Sequence, residues 1–162
     1  MNISLKSIGQ IRTPYKENAP YQPVDVKQGT FYLEVKPEFQ DGLYRLDGFS
    51  HVYVLYFVDR LKKPAELQFN PPWAPEIEVG VFASRSPARP NPIALSVVKL
   101  KKIVKNRVYT SGLDAFDHTP LLDIKPYIGD LDAKGEASSG WLKPLDDEEH
   151  KLLHLRGIPH DY

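Results

Sequence analysis

Two arginines stand in a short segment that proline makes stiff. Residues 80–93 read GVFASRSPARPNPI and carry Arg85 and Arg89 among three prolines. Proline fixes φ and removes a backbone donor, so the segment is predicted to be an irregular loop rather than a helix. A guanidinium group is permanently charged, and its planar fork of donors matches a carboxylate or a phosphate. The loop is therefore a candidate anion-binding site; the alternative is a proline-rich connector with two solvated arginines.

Three aspartates lie close together further along the chain. Asp114, Asp117 and Asp123 belong to the segment GLDAFDHTPLLDIKPYI at residues 112–128. Carboxylates can bind a cation, accept hydrogen bonds from ligand hydroxyls or act as a base. Aspartate is also a common turn residue, because its side chain caps nearby backbone groups. The spacing alone leaves both interpretations open.

The histidines do not predict a metal site. His150 and His154 stand four residues apart on a predicted helix, which is a metal-ligand spacing, but the full zinc-protease pattern is missing. His51 lies inside an apolar segment and is expected to be a hydrogen-bonded core residue. Tyr53, Tyr56 and Phe57 follow it and are also expected in the core.

A group of cations stands near the middle of the chain: Lys99, Lys101, Lys102, Lys105 and Arg107. The whole chain has 21 basic and 21 acidic residues and so no net charge. Proteins that bind nucleic acid through the electrostatic field of the whole molecule are usually basic, so any contact with nucleic acid here must be local. This cluster is the best local candidate, and a solvated hairpin face is the alternative.

Strands dominate the predicted elements. Alternating or continuous apolar residues predict strands near residues 3–14, 31–35, 49–58, 76–83, 93–104, 107–111 and 121–124. Lys105-Asn106 is expected to form a tight turn. A helix is expected to begin at Asp146, where Glu149 completes a capping box, and to stop at Gly157.

This pattern defines a fold class. Short strands separated by proline- and glycine-rich loops predict a mainly β protein, with a small barrel or a strongly curved sheet. We expect one β-barrel-like domain over residues 1–140, with a short C-terminal helical tail at residues 141–162. No G-x-G-x-x-G motif follows a strand, so a Rossmann-type cofactor site is not supported.

Composition narrows the class further. The chain has 162 residues, of which 41% are hydrophobic and 26% charged, which is ordinary for a globular domain. Its longest apolar run is too short to span a bilayer, and its first residues lack a leader pattern, so no membrane contact and a cytoplasmic location are expected. With no cysteine there is no disulfide, thiol nucleophile or zinc-thiolate site.

The combined motifs resemble a known family. GVFASRS at residues 80–86 followed by RPNPI at residues 89–93 resembles the signature of the TsaA/TrmO-like family. IGQIRTPY at residues 8–15, GFSH at residues 48–51 and the segments 114–120 and 123–127 extend the resemblance in the family's order. Together they cover residues 5–130, most of the chain.

The resemblance implies a function. Members of this family are S-adenosylmethionine-dependent tRNA methyltransferases with a β-barrel-like domain. It implies a homodimer that binds the cofactor near the subunit interface. The implied reaction methylates N6 of threonylcarbamoyladenosine at tRNA position 37, beside the anticodon of threonine tRNA. The alternative is a sensor or regulatory module that binds S-adenosylmethionine without transferring its methyl group.

The resemblance and the residue chemistry together give the expected site. The cofactor contacts are predicted at Pro20, Tyr21, Gln22, Asp59, Arg60, Arg85, Arg89, Leu95, Asp114, Ala115, Phe116 and Asp117. Arg85 or Arg89 would hold the cofactor carboxylate, and Asp114 or Asp117 would accept hydrogen bonds from its ribose. Asp123 and Tyr127 are the candidate catalytic bases.

Overall fold

Antiparallel strands make up most of the regular structure. The computed structural model of the chain describes residues 3–20, 29–72 and 74–142. The strands are β1 (Gly9–Arg12), β2 (Tyr32–Val35), β3 (His51–Phe57), β4 (Gln68–Phe69), β5 (Val79–Gly80), β6 (Ile93–Val104), β7 (Arg107–Thr110) and β8 (Pro120–Pro126). The helical pieces are α1 (Gly129–Asp132) and the 3-10 turns Pro37–Leu43, Leu46–Gly48, Val81–Ala83 and Gly140–Leu142. None of the helices described has the length and apolar character needed to cross a bilayer.

Six strands form one sheet that closes on itself. Their order is β1-β2-β7-β6-β3-β8, every neighbouring pair is antiparallel, and β1 pairs with β8 to complete the circuit. β4 and β5 form a separate two-stranded sheet. The mainly β, barrel-like prediction is confirmed, and the sheet has none of the parallel pairing of a Rossmann fold.

The alternation of side chains places the core inside the sheet. Successive residues of a strand point to opposite faces, so β3 sends Val52, Val54 and Tyr56 inward. The core prediction is therefore confirmed for Tyr56 and wrong for His51, Tyr53 and Phe57, which occupy the other phase of the strand. His51 is half-buried, and its Nδ1 lies 2.9 Å from the Ser50 hydroxyl.

A bulge in β6 separates its apolar face from its lysines. The strand pairs Leu100 with Thr110 and then Lys102 with Tyr109, so Lys101 is an extra residue. A bulge shifts the phase of the alternation. Ile103 can therefore follow Leu100 toward the core while the neighbouring lysines stay outside.

The predicted elements are mostly right in kind and differ at their ends. β6 has the predicted bounds, and Lys105, with φ of 54°, forms the predicted turn with Asn106. The single strand predicted over residues 76–83 is wrong: the chain leaves β5 after Gly80 and turns, and the Ser84 N–H donates to the Val81 carbonyl.

Two other regions bear on the predictions. The 3-10 turns at residues 37–48 and the short helix α1 were not among the predicted elements. The predicted helix over residues 146–157, with His150 and His154, lies outside the described residues.

Candidate active site

The loop between β7 and β8 carries two of the three aspartates and is fixed to the N-terminal segment. The Thr13 hydroxyl donates to the Ala115 carbonyl at 2.8 Å. The Asp117 N–H donates to the Tyr15 carbonyl, also at 2.8 Å. Ala115 is 4% exposed, so the loop is partly a core element. These contacts give Asp114 and Asp117 defined positions.

Asp114 lies in a hydrogen-bonded cluster with two residues of the sheet. Its Oδ1 accepts a hydrogen bond from the Tyr56 hydroxyl at 2.9 Å and another from the Ser96 hydroxyl at 2.8 Å. The two hydroxyls lie 3.2 Å apart. We call Asp114, Tyr56 and Ser96 the Asp114 cluster. It brings β3, β6 and the β7–β8 loop together at one point.

Burial sets the protonation of this cluster. It raises the pKa of Asp114, although hydrogen bonds from Ser96 and Tyr56 and the positive charge of Arg85 act in the opposite direction. Burial, aided by the charge of Asp114, raises the pKa of Tyr56 well above its usual range. Tyr56 therefore stays protonated at neutral pH and serves as a hydrogen-bond donor. A carboxylate in such a site interacts strongly with any ligand donor or cation, because it is incompletely hydrated.

Asp117 has a different environment. Its Oδ1 accepts hydrogen bonds from Arg12 Nε at 2.8 Å and from the Thr13 N–H at 3.2 Å, and its Oδ2 lies 3.2 Å from His118 Nε2. Burial would raise the pKa of Asp117, but the contacts with Arg12, Thr13 and His118 outweigh it and leave the pKa lowered. Both carboxylate oxygens thus contact the protein itself. The geometry favours Asp117 as an anchor for the loop and Asp114 as the group that meets a ligand.

Arg60 connects three predicted site segments. One guanidinium nitrogen donates to the Lys16 carbonyl at 3.1 Å and the other donates to the Asp117 carbonyl at 2.6 Å. The guanidinium carbon of Arg60 also lies 5.3 Å from the ring centre of Phe116. Arg60 and its exposed neighbour Asp59 are therefore placed beside the β7–β8 loop and the segment that leads to Pro20. Tyr21 and Gln22 lie outside the described residues.

The two loop arginines differ in their surroundings. Arg89 donates to the Ser84 carbonyl at 3.4 Å and so contacts its own loop. Arg85 is exposed, and its charge acts on Asp114. Within the described residues Arg85 makes no ion pair, so its guanidinium is available to an anion. The structure thus separates two arginines that the sequence treats alike.

Serine hydroxyls shape the loop that presents Arg85. The Ser84 hydroxyl donates to the Val81 carbonyl at 2.9 Å and accepts the Ser86 N–H at 3.3 Å. The Trp141 indole N–H donates to the Ala83 carbonyl at 2.8 Å. These contacts replace backbone pairing that the prolines cannot make.

Three predicted residues lie apart from this site. Leu95 precedes Ser96 on β6, so it points to the outer face, and it is 58% exposed. Asp123 forms an ion pair with Lys125 at 2.7 Å. Tyr127 packs its ring against Tyr53, with 5.5 Å between ring centres. No hydrogen bond in the described part of the chain joins Asp123 or Tyr127 to the Asp114 cluster.

Asp123 also lines a separate recess. This recess has a volume of about 520 Å³ and lies between β8 and the 3-10 turns at residues 37–48. Its lining includes Phe39, Leu43 and Ile124 but neither Asp114 nor Arg85. We place the candidate site at the Asp114 cluster, because the functional groups converge there.

Tyr56 and Ser96 belong to the site but were not predicted as site residues. Tyr56 was assigned to the core, and Ser96 was assigned no role. The available signal was the phase of β6, where Ser96 is the polar residue on a face otherwise occupied by apolar residues such as Val98. A buried hydroxyl at such a position needs a partner, and Asp114 supplies it. Among the described residues, no His, Asp and Glu side chains are grouped so as to hold a metal ion.

The fold and the site together define a class of protein. The family described as "tRNA-methyltransferase O N-terminal domain" matches residues 10–133. This range contains five of the six strands of the closed sheet completely, and all of β1 except Gly9. The chain belongs to this family.

Individual relatives agree with that assignment. An Archaeoglobus fulgidus protein named "Probable S-adenosyl-L-methionine-binding protein" is 43% identical over 96% of this chain and 42% of its own length. The mouse "tRNA (adenine(37)-N6)-methyltransferase" is 35% identical over 93% of this chain and 35% of its own length. The crystal structure of TrmO from Pseudomonas aeruginosa superposes with a TM-score of 0.71 at 34% identity, covering 87% of this chain and 63% of that one. The chain thus spans less than two thirds of each of these three relatives.

Proposed function

We propose that this chain is an S-adenosylmethionine-dependent methyltransferase that modifies N6 of an adenosine in tRNA. The specific substrate proposed is threonylcarbamoyladenosine at position 37, in the anticodon loop of threonine tRNA, and the proposed location is the cytoplasm. Membership of the family and the name of the mouse relative support the reaction class. The observation that carries the proposal is the Asp114 cluster, where β3, β6 and the β7–β8 loop meet and where the charge of Arg85 acts.

The residues present fit the cofactor. S-adenosylmethionine has a carboxylate, a ribose diol, an adenine and a cationic sulfonium, and when bound it supplies an electrophilic methyl group. Asp114 can accept hydrogen bonds from the ribose diol or stabilise the positive charge of the sulfonium. Arg85 can donate to the carboxylate. Phe116, two residues after Asp114 on the same loop, offers an aromatic ring, although Arg60 lies over that ring.

The remaining predicted contacts take positioning roles in this proposal. Arg60 and Asp117 hold the β7–β8 loop, so Asp114 and Ala115 keep their places. Arg89 holds the loop that carries Arg85. Holding reacting groups in place is a large part of catalysis in transfer reactions. Pro20, Tyr21, Gln22 and Asp59 remain predicted cofactor contacts.

A homodimer completes the proposal. β3 and β6 present a continuous apolar outer face in which Phe57 pairs with Ile93, Leu55 with Leu95 and Tyr53 with Val97. Leu95 is 58% exposed, and exposed apolar patches of this kind mark interaction sites. We propose that a second copy of the chain covers this face. Because Leu95 points away from its own Asp114 cluster, its predicted cofactor contact is made with the site of the partner.

A cofactor sensor is the second candidate. The Archaeoglobus relative is named for binding S-adenosylmethionine and not for a transfer reaction. A sensor would need the Asp114 cluster and Arg85 but no RNA surface. The two candidates therefore agree on the cofactor and differ on the acceptor.

Calorimetry and a transfer assay test both candidates. The purified chain is titrated with S-adenosylmethionine and then incubated with threonylcarbamoylated tRNA, and the nucleosides are analysed by mass spectrometry. Cofactor binding with N6 methylation supports the enzyme, and binding without methylation supports the sensor. Asp114→Asn should abolish binding, whereas Asp130→Asn, an exposed aspartate of α1, serves as the matched control. Equal affinity in the two variants would remove the Asp114 cluster from the cofactor site.

A further inference from the structure

Four neighbouring strands carry a row of cations and tyrosines on the outer face of the sheet. In the strand register Arg12 stands opposite Tyr32, Tyr32 opposite Tyr109, and Tyr109 opposite Lys102. The row thus runs across β1, β2, β7 and β6, with cations at its ends and aromatic rings at its centre. We call Arg12, Tyr32, Tyr109 and Lys102 the tyrosine row. At a strand spacing of about 4.8 Å its backbone span is about 14 Å.

The side chains of the row are packed against one another. The rings of Tyr32 and Tyr109 have centres 5.4 Å apart and planes inclined by 33°. Lys102 Nζ lies 4.9 Å from the ring centre of Tyr109. The guanidinium carbons of Arg107 and Arg12 lie 5.2 Å and 5.8 Å from the ring centre of Tyr32. Such contacts hold aromatic rings in place on a surface, which lowers the entropy cost of stacking against them.

The charge around the row is positive. Glu34 forms ion pairs with Arg107 at 3.0 Å and with Arg12 at 3.8 Å. Lys102 makes no ion pair in the part of the chain that the structure describes. The hairpin segment 99–107 holds five of the 21 basic residues of the chain and none of its 21 acidic ones. A neutral protein thus concentrates positive charge beside its half-buried tyrosine pair, as a polyanion partner requires.

The bulge in β6 is what puts Lys102 in the row. Without the extra residue at Lys101, strict alternation after Leu100 would turn Lys102 toward the core. With it, Lys102 faces outward over Tyr109 and Ile103 takes the inner position.

The row is continuous with the candidate active site. Arg12 stands at its end over Tyr32, and the same guanidinium donates to Asp117 of the β7–β8 loop at 2.8 Å. That loop also carries Asp114. A chain lying along the row would therefore lead to the loop that holds the Asp114 cluster.

We propose that the tyrosine row is an RNA-docking surface. Unpaired bases stack against Tyr32 and Tyr109, while Lys102 and the other lysines of residues 99–107 contact phosphates. Single-stranded nucleic acid is bound in this way on sheets that combine aromatic rings with positive charge. The inference rests on the proposed function only in taking RNA as the substrate class. It adds the surface that holds the RNA outside the reaction centre.

Fluorescence anisotropy of the full chain with a labelled RNA hairpin tests the surface. The hairpin has an unpaired loop, and a fully paired duplex of the same length is the comparison. Tyr109→Leu removes the ring but retains apolar volume, and Lys102→Gln removes one charge. The matched controls are Tyr44→Leu, an exposed tyrosine with Arg45 over its ring, and Lys63→Gln, an exposed lysine of the loop after β3.

The two variants have different expected signatures. Tyr109→Leu should weaken hairpin binding by about tenfold, which lies within the usual range for losing one stacked base, and leave the salt dependence unchanged. Lys102→Gln should make the negative slope of log affinity against log salt shallower by about 0.7, the value for one phosphate contact on a single strand. Circular dichroism and S-adenosylmethionine affinity should match the parent protein in both variants.

The outcomes separate this surface from the proposed reaction. Hairpin affinity equal to that of the controls in both variants overturns the surface, even if the chain methylates tRNA. Equal affinity of hairpin and duplex, or displacement by polyglutamate as effective as by RNA, also overturns it, because the surface would then respond to charge alone. Reduced hairpin affinity without any methyl transfer supports the surface and contradicts the reaction.

Discussion

Asp114 and Asp117 stand three residues apart and have opposite pKa shifts. Burial raises the pKa of Asp114, whereas for Asp117 the contacts with Arg12 and Thr13 overcome burial and lower it. The first carboxylate is held by neutral hydroxyls, and the second by a permanent cation. On this difference we propose that Asp114 faces the ligand and Asp117 anchors the loop, a distinction that residue type alone does not make.

The anchoring role predicts a pH-dependent loss of stability in Asp117→Asn. Because the folded-state pKa of Asp117 is lowered, its ionised form stabilises the fold above the ordinary value of 3.8, and this contribution is lost as the pH falls through the folded-state pKa. At pH 7 the variant should unfold with a free energy lower by about 1.5–3 kcal/mol, the usual worth of a hydrogen bond to a charged group. The deficit should shrink as the pH is lowered below 3.8 in urea denaturation. A deficit independent of pH would contradict the ion-pair account.

The available guanidinium predicts a cofactor phenotype for Arg85→Ala. If Arg85 donates to the cofactor carboxylate, its loss should weaken S-adenosylmethionine binding by roughly 1.5–3 kcal/mol in calorimetry. Arg45→Ala removes another exposed arginine, one that lies over Tyr44, and should leave binding unchanged. Unchanged affinity in Arg85→Ala would return the loop to a proline-rich connector.

At the scale of elements, close approach of two strands depends on a glycine. A Cβ at Gly9 of β1 would lie 2.1 Å from the Glu34 carbonyl oxygen of β2, a contact that no side chain can make. The atom in the way belongs to the backbone, so a rotamer change cannot relieve the clash. β1 closes the sheet against both β2 and β8. A larger residue at Gly9 is therefore expected to disturb the pairing that closes the sheet.

Gly9→Ala should destabilise the fold by at least the 1–3 kcal/mol typical of overpacking. Gly80→Ala is the matched control, because its Cβ would lie 3.9 Å from the Leu67 carbonyl oxygen, which is an ordinary van der Waals contact. Thermal unfolding followed by circular dichroism compares the two variants. Similar melting temperatures would mean that β1 and β2 can separate without loss of the fold.

At the scale of the whole molecule, the closed sheet has two dissimilar outer regions. The β3–β6 face is apolar, with Leu95 58% exposed, whereas the tyrosine row across β1, β2, β7 and β6 is cationic and aromatic. The two regions match the two proposed partners in chemistry: a second copy of the chain would cover the first region, and RNA would bind to the second. Strand β6 contributes residues to both regions, and its bulge at Lys101 lies between its apolar outer residues and Lys102 of the tyrosine row.

The apolar face predicts that Leu95→Glu shifts the chain toward the monomer. A charge placed in a buried apolar interface is not compensated, so association should weaken strongly. Sedimentation velocity over a concentration series measures the shift. Ile3→Glu, which changes a 79% exposed apolar residue near the N-terminus, should leave the sedimentation coefficient unchanged. A parent protein that is monomeric throughout would contradict the proposed homodimer.

The sequence by itself determined the class of the fold and the identity of the family. Period-two alternation over residues 31–35 predicted β2, and the continuous apolar run over residues 49–58 predicted β3 without its phase. The proline-rich arginine loop and the aspartate segment are local motifs, and local motifs carry the family resemblance. The family match over residues 10–133 confirms that resemblance.

Only the tertiary structure decided which of these groups meet. Tyr56 and Asp114 are 58 residues apart in sequence, and Ser96 lies between them, so their contact depends on strand pairing and loop placement together. The phase of β6 turns Ser96 inward and Leu95 outward, which separates two neighbours into different surfaces. Strand register is set by long-range pairing and by bulges, which a single strand's sequence does not specify.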